Sequence, residues 1–162
     1  MTDLTISALT AFPDRLAESF AMFPTAARNW RPPSWDGIPS ERLTAVEQIC
    51  HVRDIETDGY HMRIARILTE NGPVLEDIAG EPLAVDRQYC LADPQRALAD
   101  FRIARSKTIE LISRLTEEQW QRIGIFEGAP TSLRGLMHFL CSHDNQHLAG
   151  LHWLLGKMHV SN

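Results

Sequence analysis

The chain has 162 residues, 44% of them hydrophobic, with a formal net charge of −5. That is enough apolar material for a single domain over residues 1–162, and an acidic balance without any run of Lys or Arg gives no broad footing for nucleic acid or anionic lipid. The first residues carry no basic leader, and no segment approaches the roughly 20 apolar residues of a membrane span, so a cytoplasmic protein with a small-molecule or protein partner is expected. Cys50, Cys90 and Cys141 are odd in number and far apart, which argues for a reducing compartment and against a thiolate zinc site.

Taken in order, the chain reads as helices and little else. "LTISALTAFPDRLAESFAMF" is a first helix over about 4–22, with Pro13 as a kink or a first-turn residue. A long connection, "PTAARNWRPPSWDGIPSER", follows, in which Trp30 and Trp35 are expected to pin the loop to the helices. Thr44-Ala-Val-Glu47 has the form of a capping box and opens a second helix over about 44–70, stopped by Asn71-Gly72-Pro73. After a second long connection, Asp93-Pro94 caps a third helix over about 94–115. Thr116-Glu-Glu-Gln119 caps a short helix holding Trp120, and Thr131 or Ser132 caps a last helix over about 131–156. No six-residue stretch alternates at period two, and there is no internal repeat. Four amphipathic helices with two long connections predict an all-α four-helix bundle packed in an order other than simple up-and-down.

Sites in bundles are built from polar residues that face inward. On the last helix Leu133, Leu136, Met137, Leu140, Leu148, Leu151, Leu154 and Leu155 share one face, at about 100° per residue. His143, Asp144 and His147 fall on that face, whereas His138 and His152 do not. His143 and His147 stack one turn apart, close enough to bind one ion, and Asp144 can orient a ligand or accept a proton. The pattern His-Asp-Asn-Gln-His lies near His-Glu-x-x-His, but a zinc protease needs that helix against a sheet, and no sheet is visible. A third ligand must come from the second helix. Periodicity slightly favours His61, near the middle of the arc of Leu43, Val46, Ile49, Cys50, Ile64 and Leu68; the acidic neighbours Glu47, Asp54 and Glu56 favour His51.

The ordered set "LTAVEQICHVRDIETDGYHMRIARIL", "DPQRALADFRIARSKTIELISRLTEEQWQRIG" and "TSLRGLMHFLCSHDNQHLAGL" resembles the DinB-like superfamily of bacterial metal-binding four-helix bundles. The resemblance implies a divalent ion, zinc or nickel, held by His51 in "CHVRDIE" together with His143 and His147 in "SHDNQH", with His61 as the fallback. Three imidazoles leave a coordination position open, which is how catalytic rather than structural sites are built. The resemblance further implies a thiol-dependent transferase or a hydrolase, acting on a small-molecule thiol or an electrophilic substrate, with Asp144 or Asp54 as orienter or proton acceptor. The alternative is a non-catalytic, dimeric stress-response protein in which the ion is structural; the resemblance implies a homodimer, and His152, Trp153 and His159, off the core face, belong either to its contact or simply to the surface. Arg53, Arg63 and Arg66 can hold a carboxylate of such a thiol, though arginines on a long helix more often form its solvated edge. Two departures stand out: Leu43 replaces a tryptophan common before the second helix, and Phe126 replaces a histidine before the last. Nothing in the sequence places Tyr60 or Tyr89.

Overall fold

A computed structural model describes residues 3–160. Helix α1 (Asp3–Ala21) runs unbroken through Pro13. Helix α2 (Ala45–Asp54) opens on the expected capping box, with Thr44 and Glu47 bonding each other's backbone N–H. The predicted second helix is not regular: it passes through a π-helical turn (Ile55–Tyr60) into α3 (His61–Thr69). A short helix, α4 (Gly80–Asp86), lies in the connection that follows. Helix α5 (Pro94–Ile112) starts at Asp93, whose carboxylate accepts from the N–H groups of Gln95 and Arg96. Next come the short α6 (Glu117–Trp120), behind its Thr116 capping box, and α7 (Leu133–Val160). Ser132, one of the two expected caps of α7, accepts from the N–H of Gly135 at 3.1 Å. The chain is an all-α four-helix bundle in its main body, and no described helix is long and apolar enough to cross a membrane.

A small sheet, not expected from the sequence, closes one end. Strand β1 (Val74–Leu75) pairs in parallel with β2 (Ile123–Phe126), which forms a hairpin with β3 (Ala129–Ser132). Each strand is too short to display an alternation. The hairpin turn is Glu127-Gly128, both at positive φ (51° and 77°), the conformation that suits the strands' twist and that glycine adopts at little cost.

The bundle core is split in two. One apolar cluster gathers Phe12, Leu16, Ile49, Phe101 and Leu151; the other gathers Leu9, Ile64, Ile112, Leu136 and Leu140. On α5 the break between them falls at Arg105 and Thr108, and on α7 at His143, Asp144 and His147. At the centre of this polar layer lies the Arg105 guanidinium, 1% exposed. It donates to Leu9 O on α1 at 3.1 Å, to both oxygens of Glu56 in the π turn at 2.9 and 3.0 Å, and to both oxygens of Asp144 on α7 at 2.7 and 2.9 Å. Thr108 adds a 2.5 Å bond to Glu56. One residue of the third long helix thus bonds to each of the other three.

One positive charge faces two carboxylates. Burial, with the Glu56 charge adding to it, pushes the Asp144 carboxyl up to about 7 in spite of Arg105. An acid whose folded pKa exceeds its unfolded value stabilises most when protonated, so Asp144's contribution falls as pH rises from about 4, the unfolded value, to about 7. Replacing Arg105 with Met should expose this imbalance in full. The variant is expected to lose about 3–5 kcal/mol near neutral pH, and distinctly less near pH 4, where Asp144 is protonated. Urea unfolding of wild type and Arg105→Met across that range measures both; an equal loss at the two ends would contradict the charge argument.

Candidate metal centre

Three imidazoles and one carboxylate converge beside the Arg105 layer. His51 Nε2 lies 3.2 Å from His143 Nε2, which lies 3.1 Å from His147 Nε2. Glu41 closes the group from the loop before α2, with Oε1 3.3 Å from His51 Nε2 and Oε2 3.2 Å from His147 Nε2. All four ligand atoms lie within 4.8 Å of one another.

The hydrogen bonds around His147 fix its protonation. The Gln48 amide nitrogen faces Ser40 Oγ at 2.8 Å and the Leu43 carbonyl at 3.4 Å, and since a carbonyl can only accept, the Gln48 oxygen is the atom turned to His147 Nδ1. Nδ1 therefore donates, and Nε2 of the neutral ring carries a lone pair. Burial lowers the pKa of His147 against the pull of Glu41, and burial with the neighbouring imidazoles lowers that of His143 further, so both rings are neutral at pH 7. Neutral His143 has at most one N–H to share between its two imidazole contacts, and a carboxylate faces the His147 lone pair. Without a cation these lone pairs and charges repel one another.

The donor set fits one. Neighbouring ligands at about 2.0–2.1 Å from a four- to six-coordinate ion stand about 2.9–3.4 Å apart, a range that takes in the 3.1–3.3 Å contacts found here, those to Glu41 being made by its two different oxygens. The centre opens on one side to a cavity of about 300 Å³, whose lining includes Glu41, His51, His143, Tyr60, Phe126 and Phe139. His147 does not line it.

The model of the DinB superfamily matches residues 8–151. This chain belongs to the DinB superfamily. A solved structure, YfiT from Bacillus subtilis, described as a probable metal-dependent hydrolase with an unusual four-helix bundle topology, superposes with a TM-score of 0.84 at 19% identity, covering 97% of this chain and 87% of that one. At that identity the likeness speaks for the fold. No curated protein matches the sequence.

In this DinB-superfamily chain the structure brings together His51, His143 and His147, and sends the other sequence candidates elsewhere. His61 bonds Ala104 O at 3.1 Å and Thr108 Oγ1 at 3.0 Å on α5. The π turn explains why: absorbing about one extra residue, it turns everything after it by about 100° relative to a regular helix. Asp144 is committed to Arg105. Asp54 accepts from Arg53, Arg87 and Tyr89, each at 2.6 Å, and these donors outweigh its burial and hold its pKa low. It ties the connection after α4 to α2 and does not face the imidazoles. Trp35 stacks on Trp153 with ring centroids 6.4 Å apart, which pins the first connection, and His152 meets Ser19 Oγ at 3.2 Å within the chain.

Glu41 escaped the sequence reading because it sits in irregular chain, where no periodicity marks a facing direction. Its one trace is glycine at positions that leave room. Gly150, inside α7, faces Ser40 and Gln48, so the loop carrying Glu41 crosses the helix there. At Gly80 a Cβ would stand 2.6 Å from Cε1 and 2.8 Å from Nδ1 of His51. Nδ1 of His51 is buried without a hydrogen-bond partner, so packing is what fixes this ring. Gly80→Ala is therefore expected to push His51 aside and weaken divalent-metal affinity at least tenfold while the protein stays folded. Chelator-competition titration of the two proteins measures this, and equal affinities would show that His51 does not need the Gly80 contact.

Proposed function

We propose that this chain is a metal-dependent hydrolase of small, partly apolar substrates, holding a divalent ion, zinc or nickel, on His51, His143, His147 and Glu41. The observation that carries the proposal is the convergence of three imidazole nitrogens and a carboxylate at spacings that suit one ion. A bound ion would supply a Lewis acid and, with a further ligand position on the cavity side, would lower the pKa of a water held there. Gln48 keeps the His147 lone pair directed at the centre, and Glu41, reached from the cavity, stands as a ligand that also faces incoming water. Ile78, Phe126 and Phe139 offer an apolar wall to a substrate.

The cavity favours this reading over an ion that merely ties α2 to α7, since a structural site is closed by protein ligands on all sides. A cytoplasmic setting accords with three free cysteines. Protein purified without an affinity tag should carry about one divalent ion per chain. The loaded protein, screened on esters and amides and on low-molecular-weight thiols with electrophiles, should hydrolyse members of the first group. Turnover should vanish in His147→Ala and survive in Asp54→Asn. Stoichiometric metal with no turnover on either panel, and a melting temperature that drops by several degrees on chelation, would favour the structural role; activity confined to the thiol panel would make the chain a transferase.

A further inference from the structure

Tyr60 lines the same cavity as His143, with ring centroids 6.4 Å apart. Nine residues separate it from His51, so in a regular helix it would point about 180° away; the π turn that ends at Tyr60 reduces this to about 80°. The irregularity that carries His61 off the centre thus brings Tyr60 toward it.

The ring is held firmly. The Arg63 guanidinium packs 5.0 Å from its centroid and 4.8 Å from that of Phe126, and is itself fixed by bonds from Nε and Nη2 to Glu76 O at 3.0 and 2.9 Å. Tyr60 is 3% exposed, yet its hydroxyl bonds no described residue. Tyr89, the chain's other tyrosine, donates to Asp54. The hydroxyl itself is reached from the cavity, so a molecule bound there can replace solvent as its partner. Burial, with the charges of Asp144 and Glu56 and against that of Arg63, raises its pKa, so the group is an O–H donor throughout the physiological range.

We propose that the Tyr60 hydroxyl donates a hydrogen bond to the carbonyl oxygen of a substrate bound at the metal centre, and so selects small carbonyl compounds such as esters, amides and hydroxamates. This rests on the metal reading above. The donor stands on one side of the cavity and the apolar wall of Phe126, Phe139 and Ile78 lines it as well, which suits a carbonyl next to an apolar group.

The test uses the cobalt(II)-loaded protein, titrated with acetohydroxamate and followed by its visible bands. Tyr60→Phe keeps the ring that Arg63 packs on and removes only the O–H. The expected result is a tenfold or greater rise in the hydroxamate Kd, with cobalt affinity within twofold of wild type and a melting temperature close to it, since the hydroxyl bonds no described residue. Cobalt binding with an unchanged hydroxamate Kd in a folded Tyr60→Phe variant overturns the Tyr60 inference alone. A wild-type chain that takes up no cobalt overturns the metal reading and this inference with it.

Discussion

The fold turns on one buried guanidinium. Arg105 extends from α5 and bonds the backbone of α1, Glu56 of the second long helix and Asp144 of α7, so that a single group fixes the relative rotation of four helices. A bundle held by apolar contacts alone tolerates small slips along and around its helices, because hydrophobic attraction is not directional. Five hydrogen bonds to one planar fork are directional, and a buried carboxylate that misses its partner carries a large penalty. The interaction therefore contributes a specific arrangement more than net stability, as the two apolar clusters on either side of the layer supply the burial.

The metal centre inherits its geometry from that layer. Asp144 lies between the two histidines of α7, so anchoring it to Arg105 sets the direction in which His143 and His147 point. Glu56, inside the π turn, is anchored by the same guanidinium, and the turn sets which residues of the second long helix face the centre. What arises is a division of labour among acids: Glu56, Asp144 and Asp54 are spent on arginines, and Glu41, from a loop, faces the imidazoles.

Much of this was legible in the sequence. The capping boxes at Thr44 and Thr116 and the Asp93-Pro94 start place helix ends because orphan backbone N–H groups need specific partners, and those partners are local. The inward face of α7 was readable because 28 regular residues keep a steady period. The second long helix was misjudged at the point where its period breaks: a helical wheel assumes a constant angle per residue, and one π turn is enough to exchange His61 for Tyr60. The family pattern led to His51 where the wheel leaned toward His61. The short strands and Glu41 had no comparable signal, since strands of two to four residues and irregular loops are positioned by contacts with distant parts of the chain. Asp144 was read as facing inward and Asp54 as an acceptor one turn from His51, but spacing along a helix does not reveal which distant cation pairs with an acid, and in both cases it is an arginine.

X-ray absorption spectroscopy on the zinc-loaded protein bears most directly on the claim that these four residues hold one ion. The account predicts a first shell of nitrogen and oxygen at about 2.0–2.1 Å, with the multiple scattering of three imidazoles, reduced to two in His51→Ala. A spectrum containing sulfur, or one with fewer than three imidazoles in the wild-type protein, would contradict it.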